Sequence, residues 1–461
     1  MSLMATRREF LQQTAATGAA FSAVYVWTNR QARAQRAATE LRIGTIGVGG
    51  SRGAYSQGGV VARKAAQYGQ LVSVCDVDDL HAAEFNQEFD GKLSTYRDYR
   101  EMLQKEKPDI VTIGTPDHWH VAITIAALRA GCDVYCEKPL TLTIDEGIEI
   151  EKVVKETGQV FQVGTQQRSE NELKFLKAIA IVQSGRLGEN VNAHLAIGKG
   201  EVGGPFSTAP TPDDLDWDMW LGPAPLVDYC LERQRKFRWF FDYSGGKLTD
   251  WGAHHIDIAQ WALGFGHSGP VKVSGTANFT PLVPDHFDWH AYLDGEAKMP
   301  NAFNTAVSFE VKLEYANGSF ISVSDHFQRD DGTEFDNGIL FEGEEGRIFA
   351  NRERLSGKPV EDLTEADQQE IQDRIVELYK GKEPGRSGGH MSNFFECVKD
   401  RTEPVSDVAT HHRTMTSCHL SNIVLMLGRE LNWDPDRQQF VNDPEAEAFR
   451  TRRRRGGYTL A

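Results

Sequence analysis

Between Lys247 and Leu263 the chain reads KLTDWGAHHIDIAQWAL, a stretch dense in side chains that can do chemistry. If it is helical, Asp250, His254 and Asp257 share one face, because residues three and four apart are helix neighbours. His255 then points about 100° away from His254. The set fits a metal cage, an acid–base pair, or a packed helix carrying a few polar residues. A second candidate is Lys138, in CEKPL at Cys136–Leu140. Pro139 biases Lys138 towards an extended backbone, which suits a lysine aimed into a cleft as well as one in a surface Glu-Lys pair before a turn.

The elements around these residues narrow the choice. The ELRIGTIGVGGSRG stretch runs an apolar strand into glycines at 47, 49, 50 and 53, with a helical stretch beyond. That is the context of a dinucleotide-binding turn, where a pyrophosphate rests on backbone N–H groups at a helix start. The spacing departs from G-x-G-x-x-G, since Arg52 stands where the third glycine belongs. The next strand, LVSVCD, ends in Asp76. A carboxylate there accepts from ribose hydroxyls and repels a 2′-phosphate, so NAD is favoured over NADP. GTPDHWH (Gly114–His120) and CEKPL follow later apolar strands, at the strand ends where an open α/β sheet binds ligands.

Apolar strands alternating with helices up to about Gly164 indicate a doubly wound parallel sheet, an NAD(P)-binding Rossmann domain over residues 40–164. Beyond it, TAVSFEVKLEYANGSFISVSD alternates polar and apolar residues around Asn317-Gly318, the signature of a hairpin in an antiparallel sheet. Residues 165–461 therefore read as an α+β domain with a large open, mainly antiparallel sheet. A chain of 461 residues suits two such domains.

Composition excludes other classes. A net charge of -16 argues against a nucleic-acid binder, and the RTRRRR run at Arg450–Arg455 reads as a solvated or salt-bridged tail. Six cysteines do not make a disulfide framework; all read as core residues. The N-terminus, TRREFLQQTAATGAAFSAVYVWTNRQARAQ, orders an arginine pair (Arg7, Arg8), a short apolar stretch and Ala32-Arg33-Ala34. That order resembles a twin-arginine (Tat) export signal over residues 1–34, cleaved after Ala34. The apolar stretch is too short and too rich in small residues for a stable membrane span. A soluble protein exported to the periplasm is expected.

Taken together and in order, the glycine turn, CD strand end, TPDHWH, EKPL, GTQQR and SGGKLTDWGAHHID motifs resemble the glucose–fructose oxidoreductase / inositol dehydrogenase / MocA (Gfo/Idh/MocA) family. The resemblance runs from about Leu41 to the C-terminus. It implies an oxidoreductase of sugars and polyols using NAD(P), with Lys138, Asp250 and His254 as the catalytic set beside the nicotinamide. It places the cofactor against Gly47, Gly49, Gly50, Ser51, Arg52, Asp76, Thr115, Pro116, His118, His120, Glu137, Lys138 and Gln166. Substrate would contact Lys138, Arg168, Arg238, Trp239, Asp250, His254 and His255. A homodimer or homotetramer is implied, and no metal. Ser244 stands where a glycine often precedes the motif.

The chemistry agrees with that set. Removing hydride from an alcohol carbon needs a base for the hydroxyl proton, and neutral histidine titrates in the right range. Asp250 can orient the ring or bind a sugar hydroxyl. Lys138 can bond the reacting oxygen and lower its pKa, and the choice of base between Lys138 and His254 stays open. An exported enzyme meets little free NAD, so a tightly bound cofactor is expected. That also suits an alternative, a redox-neutral glycoside lyase or hydrolase of the same fold that recycles NAD through a keto-sugar. A non-catalytic binding protein would not need Lys138, Asp250 and His254, and a metal hydrolase leaves the glycine turn unexplained.

Overall fold

The computed structural model describes residues 41–284, 286–384 and 389–460. The export signal read at residues 1–34 lies outside them. The first sheet has six parallel strands: β1 (Arg42–Ile46), β2 (Gln70–Cys75), β3 (Ser94–Tyr96), β4 (Ile110–Ile113), β5 (Asp133–Cys136) and β6 (Phe161–Val163). Their order is β3-β2-β1-β4-β5-β6, the doubly wound arrangement. Ile110, Val111, Ile113, Val134 and Cys136 are buried because helices cover both sheet faces. Local signals set the helix ends. The Thr143 hydroxyl accepts from the Glu146 N–H to start helix Ile144–Thr157, and Gly158 ends it with a φ of 59°.

The second sheet is built from β7 (Asn192–Ile197), β8 (Lys272–Asn278), β9 (Ser308–Glu314), β10 (Phe320–Ser324), β13 (Asn337–Gly343), β14 (Gly346–Ala350), β15 (Leu355–Ser356), β16 (Leu431–Asp434) and β17 (Gln439–Phe440). A small ribbon, β11 (Phe327–Gln328) with β12 (Glu334–Phe335), stands apart. The large sheet runs β15-β14-β13-β7-β10-β9-β8-β16-β17. Its ladders are antiparallel except β7 with β10. Asn317-Gly318 forms the turn between β9 and β10, with Gly318 at a φ of 89°. The opening motif becomes a short helix, Lys247–Asp250, then Gly252–Ala262, packed between the sheet and helix Val408–Leu427.

Two features tie the domains together. Helix His390–Asp400 leaves the second domain and buries Met391, Phe394, Phe395 and Val398 against Ile43, Val74 and Tyr135 of the first. The arginine-rich tail lies across both: Arg450 pairs with Asp145 at 2.7 Å, Arg454 with Glu146, and Arg455 with Asp218. The six cysteines are buried and unbridged. Among the described residues no helix is long and apolar enough to cross a membrane.

Candidate active site

A cleft of about 470 Å³ runs from the glycine turn to the opening motif. Its floor is the carboxyl edge of the first sheet, and the second domain supplies its roof. At the turn, Gly47 and Gly49 have φ values of 73° and 65°. The close-packing glycine of this turn is Gly58, in the first turn of helix Gln57–Ala65. A Cβ there would lie 1.8 Å from the Gly47 carbonyl oxygen, so only glycine lets the helix sit this close. The turn is thus lengthened by the residues between Gly49 and Gly58. This accounts for the off-register spacing.

Asp76 holds the turn. Its carboxylate accepts from the N–H groups of Val48 (3.0 Å), Gly49 (3.2 Å) and Asp78 (3.0 Å), and burial pushes its carboxyl above the ordinary range. This cradle, closed by glycines that a Cβ would fill, fits a dinucleotide. Thr115, Pro116, His120, Glu137, Lys138 and Gln166 continue the same wall. His120 is fixed between the carbonyls of Thr115 and Pro139, 2.8 Å from each. Gln166 donates to Glu137 at 2.7 Å. Burial lifts the Glu137 carboxyl to about 7 against the pull of Lys138.

At the far end the two domains meet in one ion pair. Lys138, after β5, donates to Asp250 Oδ1 at 2.6 Å and to the Asp250 carbonyl at 3.1 Å. The Arg238 Nε lies 3.3 Å from the same carboxylate. Burial opposes ionisation of Asp250, but Lys138 and Arg238 outweigh it and hold the carboxyl well below the usual range. His254 lines the cleft beside them. Burial, reinforced by Lys138 and Arg352, keeps its imidazole neutral at physiological pH. Among the described residues its Nδ1 has no hydrogen-bond partner.

Several expected contacts are not brought to the cleft. Gly50, Ser51 and Arg52 form the outer limb of the long turn, where Ser51 bonds Glu84. Arg52 is clamped by Asp78 (2.9 Å) and Asp214 (2.5 Å). His118 turns to the Trp220 carbonyl (2.9 Å) and packs on Tyr243. Trp239 is buried in the aromatic cluster with Phe240 and Tyr243. His255 points into the second domain, bonding Asn337 at 3.1 Å. Arg168 lies behind the motif helix, paired with Asp257 at 2.5 and 2.7 Å.

Other residues join the site that sequence reasoning did not single out. Asp117, inside the TPDHWH motif, accepts from the Ser244 hydroxyl at 2.5 Å, and burial raises its carboxyl to about 7. The serine that replaces a glycine thus has a partner. Tyr55 stacks on Arg238, whose guanidinium carbon is 4.3 Å from the ring centre. Trp251 and Arg352 complete the wall. Trp251 stood in the quoted motif itself, whereas Arg352 follows β14 and has no local pattern to announce it. Among the described residues no three His, Cys, Asp or Glu side chains stand close enough to hold a metal ion.

Comparison with known proteins agrees with this architecture. Residues 41–165 match the Gfo/Idh/MocA oxidoreductase family, NAD-binding Rossmann fold. Residues 197–280 and 292–460 match its C-terminal alpha/beta domain. The chain belongs to the Gfo/Idh/MocA oxidoreductase family. It is 30% identical to the D-glucoside 3-dehydrogenase of Escherichia coli over 197 residues, 42% of this chain and 47% of that protein. It is also 30% identical to the scyllo-inositol 2-dehydrogenase (NAD(+)) of Bacillus subtilis over 164 residues, 36% of this chain and 38% of the relative. The chain thus spans about half or less of these relatives' lengths. Among solved structures, the myo-inositol 2-dehydrogenase of Lactobacillus plantarum superposes with a TM-score of 0.55 at 20% identity, covering 86% of this chain and 99% of the other. The WlbA dehydrogenase of Bordetella pertussis, in complex with NADH and UDP-GlcNAcA, gives 0.57 at 14% identity over 86% and 99%. At such identities the likeness is one of fold.

Proposed function

We propose that this protein oxidises a secondary hydroxyl of a sugar, polyol or sugar derivative, with hydride passing to a nicotinamide dinucleotide held in the cleft. The observation that carries this reading is the 2.6 Å pair between Lys138 of one domain and Asp250 of the other, with neutral His254 in the same cleft as the glycine turn. A bound nicotinamide supplies the hydride acceptor. The uncharged His254 imidazole takes the hydroxyl proton. Lys138, its ammonium oriented by Asp250, donates a hydrogen bond to the same oxygen and stabilises the developing alkoxide. The remaining Asp250 oxygen is left to accept from a neighbouring sugar hydroxyl. Asp76 at the end of β2 favours NAD over NADP.

Tight cofactor binding has a structural support of its own. A segment of the second domain pairs with the end of β2: Asp79 N–H donates to the Asp214 carbonyl and Asp216 N–H to the Val77 carbonyl, each at 2.9 Å. With the Arg52 clamp and Gln234 on Asp78 (3.1 Å), this clasp closes over the end of the groove beside Asp76. A retained cofactor also suits the alternative reading, a redox-neutral lyase or hydrolase working through a keto-sugar. It suits export through the Tat pathway as well, since folded chains would carry their cofactor to the periplasm. A homodimer or homotetramer through the open sheet remains part of the proposal.

Denaturing the purified protein and assaying the supernatant for nicotinamide tests the core reading. Near-stoichiometric release is expected; protein that emerges empty and needs millimolar NAD would sink tight binding. Incubation with a sugar panel, following reduced-cofactor absorbance and product masses, separates a dehydrogenase from a lyase. Absence of both signals would sink the reaction.

A further inference from the structure

Of the lysines and arginines that line the cleft, Lys138, Arg238 and Arg97 have a carboxylate partner and Arg352 has none among the described residues. Lys138 and Arg238 share Asp250, and Arg97 pairs with Asp79. Arg352 has no ion pair or hydrogen bond among the described residues, yet it lines the same cleft as Lys138, Asp250 and His254. Its position is fixed from both sides. The turn that carries it is closed by Asn351, whose side chain accepts from the N–H groups of Glu353 (2.9 Å) and Arg354 (2.8 Å). Its guanidinium lies over the Trp251 ring, 4.6 Å from the centroid, and that ring meets His254 edge-on at 5.9 Å. Lys247 approaches Trp251 too, at 5.9 Å, again with no carboxylate within ion-pair distance among the described residues. Asp250 and Glu170 act on Arg352 only through space, and each already has a partner, Lys138 at 2.6 Å and Lys64 at 3.0 Å.

The reacting end of the cleft therefore gathers Lys138, Arg238 and Arg352 around a single strongly ionised carboxylate, Asp250, with Lys247 behind it against Trp251. In a chain of net charge -16, this local excess of positive charge requires an explanation. The cofactor's phosphates do not explain Arg352, because their cradle is at the glycine turn, whose Tyr55 reaches Arg238, while Arg352 packs on Trp251. Nor does folding, since a guanidinium on an aromatic face at a cleft wall contributes little without a partner.

We infer that Arg352 is the anion-binding corner of the substrate site and that the substrate is an acidic sugar, its ring carrying a carboxylate, sulfate or phosphate group. The planar guanidinium fork donates two parallel hydrogen bonds to such an oxyanion. Trp251, whose ring carries the guanidinium, holds that fork at the cleft wall beside His254. The inference rests on the proposed sugar chemistry but is tested by binding, independently of turnover. NAD-loaded protein is titrated calorimetrically with D-glucose, D-glucuronate, glucose 6-sulfate and glucose 6-phosphate. At least one acid is expected to bind about tenfold or more tightly than glucose. Arg352→Gln removes that margin, and Arg352→Lys restores part of it. The tightest of the three acids identifies the group. Glucose binding as tightly as every acid, or a margin that survives Arg352→Gln, overturns the inference. Cofactor reduction in the same samples reports separately on the proposed reaction.

Discussion

Two ion pairs lie within one segment of chain and do opposite work. Asp257, on the inner side of helix Gly252–Ala262, meets Arg168 at 2.5 Å with both side chains almost wholly buried. Asp250, seven residues earlier, meets Lys138 at 2.6 Å with both side chains still partly accessible from the cleft. The Asp257 pair is saturated. Arg168 also donates to the Val405 carbonyl and Thr410, stacks on Trp261, and Thr414 donates to Asp257. The Asp250 pair is left open, with the lysine in reach of a ligand and a neutral histidine beside it. Charge pairing alone therefore says nothing about function. What separates the two is whether any donor or acceptor remains for something that is not protein.

The sharpest way to break the comparison is to remove one partner from each pair. Asp257→Ala leaves the Arg168 charge buried and unpaired, which costs about 3–5 kcal/mol. Denaturant unfolding should show that loss, and folded molecules should keep their catalytic rate. A loss under about 1 kcal/mol would make the inner pair dispensable. Lys138→Met should do the reverse. Cofactor reduction falls about 10²–10³-fold, about 3–4 kcal/mol in the transition state, while thermal stability hardly changes because Arg238 remains 3.3 Å from Asp250. Unaltered turnover by Lys138→Met would remove the lysine from the mechanism.

A smaller effect separates the cleft from the core through pH. Asp117 and Glu137 have carboxyls raised to about 7 by burial, above their values in the unfolded chain. The unfolded state therefore binds fewer protons between the two values, and stability falls as pH rises. Their contribution is fully present below the unfolded pKa and is lost as pH passes 7. Each site accounts for on the order of 1 kcal/mol between pH 6 and 8. Thermal melts of cofactor-stripped protein should decline over that window, and Asp117→Asn should flatten the decline. A melting temperature independent of pH there would show that these carboxyls stay ionised.

How much of this was legible in the sequence follows the same divide. The parallel sheet, the alternating second sheet and the Asn317-Gly318 turn are local patterns, and so is the set Lys138, Asp250 and His254 that the structure brings to one cleft. Arg168 and Asp257 are 89 residues apart, and nothing near Arg168 in GTQQR distinguishes a substrate arginine from a buried brace. Helix spacing already turned His255 away from His254, and it meets Asn337 instead of the cleft, while Trp239 failed to reach the cleft because its partners, Phe240 and Tyr243, are set by packing. Gly58 was missed because the turn is longer than the expected pattern. Arg352 depends on a contact with Trp251, and the return of helix His390–Asp400 to the first domain on contacts with Ile43 and Val74, all far apart in the chain.

Ser244 gives the finest test, because it is the one position in the motif that departs from the family pattern and has a visible partner. Its hydroxyl is fully buried and donates to Asp117 at 2.5 Å, stabilising the ionised carboxylate. Ser244→Gly takes that donor away without adding bulk, at a cost of about 1 kcal/mol. The lost hydrogen bond also raises the Asp117 pKa further. The fall in stability with pH should therefore continue to a higher pH than in the parent before it levels off, by an amount readable in melts taken at half-unit steps. A destabilised variant with an unshifted pH profile would mean that Ser244 fills space and does not tune Asp117. An upward shift would join the serine to the cleft's electrostatics.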